Sequence, residues 1–517
     1  MLRRSAFLVA LFEVASCGRC GEKKPPETLG ALLPSTARAV VVVPSLARAF
    51  LAARGLASAL ARFPGGDAVG QKLDAAAASL GFDPGSAGAL SAVGIAADRP
   101  AALVAERDGV SLLLPVADRG RLVQAIARLA VDRAGAGHAE ERRVPGGELR
   151  LFTGGRAPVA LGLRGDWALL SEDPDLVRRG LTRDRKASLA GDERVQAGLH
   201  RLGVAWDAWA LVPAGSDLLD RTLLPKQPWF AATSFSRRRL LLRVLSPLTV
   251  GEGAGLAAFS LPAGQDLVPL LSPDDVLVFR IGGELSGLAG MLAEALPIAP
   301  ALAAAGLDLR RDLLFNLRPG ITLGAGIAPG IQLSAISSAG SDPEDVASLM
   351  TIDAFVRVRE VAKAKAALQR LCAAAPLAGG RVVLGAIAGH PVATFEDEKQ
   401  RRMSVALVGD TLALAEGEGA MAAALARIDG KGARYQASRL LERALLGHVS
   451  DGAALDTDAL RAAVERIPEA AYGGLEGLTL RAIVGSFLAP LAHVGPLVVT
   501  ADISADAAVA DAEVELR

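Results

Sequence analysis

Residue types that do chemistry are sparse in this chain and poorly spaced for it. Histidines stand at His138, His200, His390, His448 and His493, none three to five residues from another histidine or a cysteine, so no local metal-ligand pattern forms. His390, before Pro391 at a strand start, reads as a surface or cap histidine. Asp456-Thr457-Asp458 opens like a calcium loop, but Leu460 takes the next ligand place. Gly65-Gly66-Asp67-Ala68-Val69-Gly70-Gln71-Lys72 has the glycines of a phosphate loop, with its lysine one place late and no Ser or Thr after it. Gly324-Ala325-Gly326 and Gly251-Glu252-Gly253 lack the strand–GxGxxG–helix order. No GxSxG elbow or SxxK is present, so acyl transfer by those serine arrangements has no local support. Arg164-Gly165-Asp166 is an RGD, yet the second half of the chain keeps only Gly409-Asp410, which reads as a hairpin turn. These patterns predict no catalytic residue, no metal and no cofactor.

The first residues read MLRRSAFLVALFEVASC. Arg3 and Arg4 form a cationic region, and Ala6 to Phe12 an apolar stretch of secretory-signal type. Val14-Ala15-Ser16-Cys17 then resembles the lipobox of bacterial lipoproteins. That resemblance implies a signal peptide over 1–16, cleavage before Cys17, and acylation of the Cys17 thiol and the new amine. More than one acyl chain gives stable anchoring where one alone is marginal. Residues 17–30, with Gly18, Gly21, Pro25 and Pro26 among charges, read as a solvated tether. Gly18 is not the aspartate that holds some lipoproteins at the inner membrane, so the resemblance implies an outer-membrane anchor facing the periplasm. Cys17-x-x-Cys20 has no βαβ context and no second pair. Beyond these, only Cys372 remains, which excludes a disulfide framework and reads as a small buried hydrophobe.

The rest of the chain is written twice. VALGLRGDWALLSE (159–172) matches SVALVGDTLALAE (404–416) around the shared Gly-Asp. SLLLPVADRGRLVQAIARL (111–129) matches DAFVRVREVAKAKAALQRL (353–371), SLGFDP (79–84) matches AAGLDL (304–309), and LLPSTARAVVVVP (32–44) resembles LLSPDDVLVFRIG (270–282). RRLLLRVLS (238–246) pairs with AVADAEVEL (508–516). The matches keep one order in both halves, which predicts a first repeat over 31–248, a Gly-rich linker over 249–266 and a second repeat over 267–517.

Within each repeat the pattern predicts a short buried strand at 40–44, two Ala/Leu helices at about 46–62 and 67–80, a left-handed Gly81 after the second, and then β-α-β-β-β-α. Alternation in VATF and SVALV marks one buried and one wetter face. The expected fold class is α+β: two tandem, similar domains, each a mainly antiparallel sheet with helices packed on one face. This layout resembles a family of duplicated bacterial envelope lipoproteins whose domain has no assigned function. The resemblance implies fold and location and transfers no catalytic residue.

Composition narrows the function. The 517 residues carry 56 basic and 56 acidic side chains, which lack the basic excess that a nucleic-acid binder needs. No apolar run after the leader is long enough to span a bilayer. Arg237, Arg238, Arg239 and Arg243 make a basic strand edge of the kind that blunts aggregation. All four tryptophans, Trp167, Trp206, Trp209 and Trp229, fall in the first repeat, an asymmetry that reads as first-repeat core filling and, alternatively, as a binding surface. The expected protein is therefore a non-enzymatic, lipid-anchored interaction or structural module whose partners are the membrane, through its anchor, and an envelope protein or lipid. Carriage of an apolar ligand or lipid ranks second, and a hydrolase last.

Overall fold

The computed structural model describes residues 28–517 except 64–65, 185, 204–205, 220–225, 237, 250, 252, 254–255, 257–260, 285–305, 307, 309–310, 313, 329–349, 375–380, 397–401, 418, 469–484 and 486–487. The signal peptide, Cys17, Cys20 and most of the tether lie outside the described residues. The chain divides into two compact units. One reaches to Leu248 and takes in Ala507–Val509; the other comprises Thr249–Asp506 and Ala510–Arg517. The strands form a large antiparallel sheet and the architecture is α+β.

The first unit begins with a helical turn, α1 (Leu29–Leu32), and the strand β1 (Ala39–Val43). Helices α2 (Leu46–Leu60), α3 (Asp67–Leu80) and α4 (Ala87–Ala92) follow, then β2 (Ala101–Ala105), β3 (Val110–Pro115) and α5 (Arg119–Leu129). A meander of β4 (His138–Val144), β5 (Gly147–Thr153), β6 (Val159–Arg164) and β7 (Trp167–Ser171) leads to α6 (Pro174–Thr182), α7 (Glu193–Leu202), β8 (Ala208–Val212), β9 (Trp229–Ser236) and β10 (Arg239–Pro247). Short polar side chains start the helices: Ser45 Oγ accepts from Arg48 N on α2 and Asp118 Oδ1 from Arg121 N on α5. Helix α3 ends at Gly81, whose φ of 74° is left-handed, as its position in the sequence predicts. Asp83 Oδ1 accepts from Gly85 N, and Ser86 caps α4.

The second unit holds β11 (Asp275–Ile281), β12 (Leu317–Ile327), β13 (Met350–Val358), α8 (Val361–Ala374), β14 (Arg381–Ile387), β15 (His390–Glu396), β16 (Arg402–Val408) and β17 (Thr411–Glu416). It continues with α9 (Ala420–Ile428), α10 (Arg439–Leu445), β18 (Asp451–Leu455), α11 (Thr457–Glu465), β19 (Val494–Ile503) and β20 (Ala507–Leu516).

Strand order in the first unit is β10-β9-β8-β1-β2-β3-β7-β6-β5-β4. In the second it is β20-β19-β18-β11-β12-β13-β17-β16-β15-β14. The two orders correspond strand for strand. The shared Gly-Asp turns join β6 to β7 and β16 to β17, with φ of 54° at Gly165 and 59° at Gly409. A positive φ at the first central residue is the place a two-residue hairpin reserves for glycine. Each turn also caps the strand beside it, Val116 N donating to Asp166 O and Val358 N to Asp410 O, both at 2.8 Å.

Helices on one face only is the expectation the structure corrects. Consecutive strand residues pack into different cores. Leu113 joins Val177 and Leu181 of α6 and Val195 and Leu199 of α7, whereas Leu114 joins Ala47 of α2, Leu90 of α4 and Leu122 and Ile126 of α5. In the second unit Phe355 packs with Met421 and Leu425 of α9, and Val356 with Ala364 of α8. Both faces of β1 and β3 are therefore largely buried, which is why VVVVP and SLLLP read as apolar runs instead of alternating. Among the described residues no helix is long and apolar enough to cross a membrane.

Of the two readings of the tryptophans, their burial fits core filling. Trp167, Trp206 and Trp209 are buried in the first unit's core and Trp229 is half-buried, so no tryptophan-bearing surface is displayed. Their size serves filling here: Trp209 lies against Phe230 with ring centroids 6.3 Å apart. Replacing Trp209 by Ala should lower the unfolding free energy by about 3–5 kcal/mol. Urea titration measures it, and a loss under about 0.5 kcal/mol would return Trp209 to a surface role.

Candidate functional site

Buried charge gathers at the start of β11 in the second unit. Asp275 opens that strand, Asp353 stands two strands away on β13, and α9 brings in Arg427 from its last turn; all three are buried. Arg427 donates through Nε to Leu270 O and through Nη2 to Asp353 Oδ2. Asp275 Oδ2 accepts from Ser272 N at 2.9 Å. Between the two acids lies Gly324 of β12, opposite Asp353 in register. A Cβ on Gly324 would fall 1.9 Å from Asp275 Oδ2, so the glycine makes room for the carboxyl.

Burial is the largest influence on both acids. It pushes Asp275 up to about 7, helped by the neighbouring Asp353 charge and opposed by Ser272 N–H and Arg427. Burial also raises Asp353, against the pull of Arg427. The Tyr435 hydroxyl is buried nearby and has no hydrogen-bond partner among the described residues; burial, then the Asp456 and Asp275 charges, raises its pKa. Asp353, Arg427 and Thr351 line an open cleft of about 500 Å³, with Ala423 of α9 and Ile327 and Ile467 as apolar walls. Its rim carries an ion pair, Arg466 Nη1 to Asp274 Oδ1 at 2.9 Å.

Half of this cluster recurs in the first unit. Arg183, at the spacing shared by Gly165 and Gly409, donates through Nη1 to Leu32 O at 2.6 Å, as Arg427 does to Leu270 O. Its acidic neighbour is Glu106 at 3.7 Å, and burial lowers its pKa. The arginine-to-carbonyl contact thus belongs to the scaffold. The acid pair does not: matching LLPSTARA to LLSPDDVL sets Ala37 against Asp275, and the strand registers set Val104 against Gly324 and Ser111 against Asp353.

A second feature is the outer strand of each meander. In the first unit β4 carries Glu140, Glu141, Arg142 and Arg143, charges that protect an open edge. Its counterpart β14 reads RVVLGAI, with Leu384 72% and Val383 42% exposed, and Met403 of β16, two strands inward, exposed as well. Among the described residues the outer edge of β14 has no strand partner. The β14–β15 turn holds Ala388 at φ 51°, a left-handed angle at which an L side chain is strained.

The motifs weighed in the sequence have structural duties. Asp456 Oδ1 accepts from Asp458 N and Ala459 N and caps α11. Arg164 of the RGD turns away from solvent, donating to Gly180, Leu181 and Arg183 carbonyls. His390 Nε2 meets Asp429 Oδ1 at 3.0 Å, and Arg243 stacks on Trp206. Cys372 is half-buried, its thiol pushed up by burial. Among the described residues no three His, Cys, Asp or Glu side chains form a metal site. Asp275, Asp353 and Arg427 escaped motif reading because no short spacing joins them; the one signal was an acid in each of two strands where the other repeat has Ala and Ser. No family model, no curated protein and no solved structure matches this chain.

Asp275 sets a pH dependence. Its ordinary value is 3.8 and its folded value about 7, so the folded state holds the extra proton between them. Stability should therefore fall as pH rises from about 4 through 7, by up to about 4 kcal/mol at 1.36 kcal/mol per unit. Asp275→Asn removes that slope: its unfolding free energy, relative to the parent, should climb between pH 4 and 8. A difference independent of pH contradicts the assignment.

Proposed function

We propose that this protein is a non-enzymatic, lipid-anchored envelope protein in which a duplicated α+β unit acts as an interaction module, its docking edge being strand β14. As read here, the anchor is Cys17, the location is the periplasmic side of the outer membrane, and the two tandem domains descend from one ancestral unit. Duplication is supported by the matching strand orders, the twin Gly-Asp turns and the twin contacts from Arg183 and Arg427 to the leading Leu-Leu segments.

The observation that carries the interaction reading is the exposed apolar edge of β14, set against the charged β4 at the corresponding place. An open, apolar strand edge invites another strand: main-chain hydrogen bonds give affinity, and side-chain pockets give choice. The partner that fits is an extended segment of an envelope protein with apolar side chains to cover Leu384 and Val383. A specific observation also favours carriage of an apolar ligand: Phe279, Ile281, Ala453 and Val499 line a mainly apolar cleft of about 370 Å³.

Two experiments test these readings. Cys17→Ser should abolish radiolabelled acyl incorporation and release the protein from the membrane fraction; retained labelling overturns the anchor. A photo-crosslinker at position 384 should give a protein adduct in intact envelopes that Val383→Lys abolishes, while the same probe at 140 on β4 gives none. Adducts with lipid alone would transfer the case to the carrier reading.

A further inference from the structure

The turn that ends β14 sets the hydrogen-bonding phase of the whole strand. Ile387 pairs with His390 across Ala388 and Gly389, whose φ values of 51° and 84° are both left-handed. A two-residue hairpin of that kind closes on a pair that exchanges both of its main-chain hydrogen bonds, and such pairs alternate along an antiparallel ladder. Ile387, Gly385, Val383 and Arg381 therefore turn their N–H and C=O groups toward β15, while Ala386, Leu384 and Val382 turn theirs outward. Pro391 fits this phase: it stands opposite Ala386, where β14 needs no N–H from β15. Side chains along the edge are open to solvent, with Arg381, Val383, Leu384, Gly385 and Ala386 all exposed.

The edge is also complementary to itself. Against a second β14 running the opposite way and centred on Leu384, Leu384 meets Leu384, Val382 meets Ala386 and Val383 meets Gly385. Leu384, Val382 and Ala386 are the outward-turned residues, so their main chains exchange hydrogen bonds directly. No atom lies within 4 Å of where a Cβ on Gly385 would stand, which leaves room for the opposing valine. Arg381, the strand's single charge, already meets Glu396 of its own chain at 3.9 Å. Antiparallel pairing sends the two copies of Arg381 to opposite ends; parallel pairing would set them side by side. Strand β4 of a second chain is a poor match, because Glu140, Glu141, Arg142 and Arg143 would lie against an apolar stretch. We infer that two copies of this protein associate through β14, antiparallel and symmetric about Leu384. This inference rests on the reading of β14 as the docking edge and names its partner. A contact that is its own complement closes, so association stops at two. One strand pair is a small interface; the copies separate on dilution and pair where the envelope concentrates them.

Photo-cross-linking in intact envelopes tests the pairing, with two differently tagged full chains co-expressed and the photoreactive residue at position 386 of one. The parent should give an adduct between the two tags that maps to the peptide holding Val382. Leu384→Lys on both chains, or Leu384→Glu on both, should lower that adduct about fivefold or more, since like charges then stand directly opposite one another. Leu384→Lys on one chain with Leu384→Glu on the other should return it to near the parent level. Leu384 is 72% exposed, so neither change disturbs the core. An adduct with a different protein and none between the tags overturns the second copy as occupant and leaves β14 as the docking edge. Absence of every protein adduct overturns both. An adduct between the tags that survives the like-charged pairs, or that the mixed pair fails to restore, overturns the symmetric pairing.

Discussion

A guanidinium drawn largely out of water and tied to the start of its own unit is the contact on which each half of this protein closes. Arg183 reaches Leu32 O and Arg427 reaches Leu270 O, each from the end of the helix that follows the Gly-Asp hairpin. A charge taken out of water is tolerated only where its donors are met and an acid stands near. That requirement fixes the leading Leu-Leu segment, the helix and the central strands against one another. Removing Arg427 would strand the buried Asp353, and removing Arg183 would take a cation from the half-buried Glu106, so the contact constrains far more of the chain than its few atoms suggest.

Around this contact the two units differ by compensated exchange. Val42 of β1 faces Trp209 on β8; Arg280 of β11 stands at the matching place and faces Gly452 on β18. The volume of the tryptophan is given up and a longer side chain fills it, donating to the carbonyls of Ala263, Ala444, Val449 and Ser450. Likewise Ala37 with Val104 becomes Asp275 with Gly324, a carboxyl occupying space that the valine side chain would take. The second exchange places an ionisable group in the core, the origin of the pH dependence. Core packing conserves volume more strictly than polarity, provided the polar atoms find partners.

Much of the framework was legible in the sequence. The Gly-Asp hairpins, the left-handed Gly81, the buried valines of β1 and the α+β class follow from local rules that act over a few residues. What was misread depended on distance. Helices on a single face failed because α5 and α6 flank the same strands from opposite sides, and nothing in a helix's own sequence says which side it takes. The tryptophans stayed open between two readings because a large apolar side chain suits a core and a binding surface equally well. Strand β4, HAEERRV, lacks an apolar face and was passed over; its meaning emerged only beside the apolar β14. Asp275, Asp353 and Arg427 meet across three elements, and no spacing in the chain announces that.

The central claim is that both halves are one α+β unit with the same strand order, centred on β1 and β11 and ending outward at β4 and β14. Native-state hydrogen exchange of the full chain, read by mass spectrometry, tests it most directly. The account predicts that β1 and β11 exchange slowest in their units, that protection falls in matching order along the two halves, and that β4 and β14 exchange early. Protection of β14 equal to that of β11 in the isolated protein, or a different ranking of corresponding strands, would contradict it.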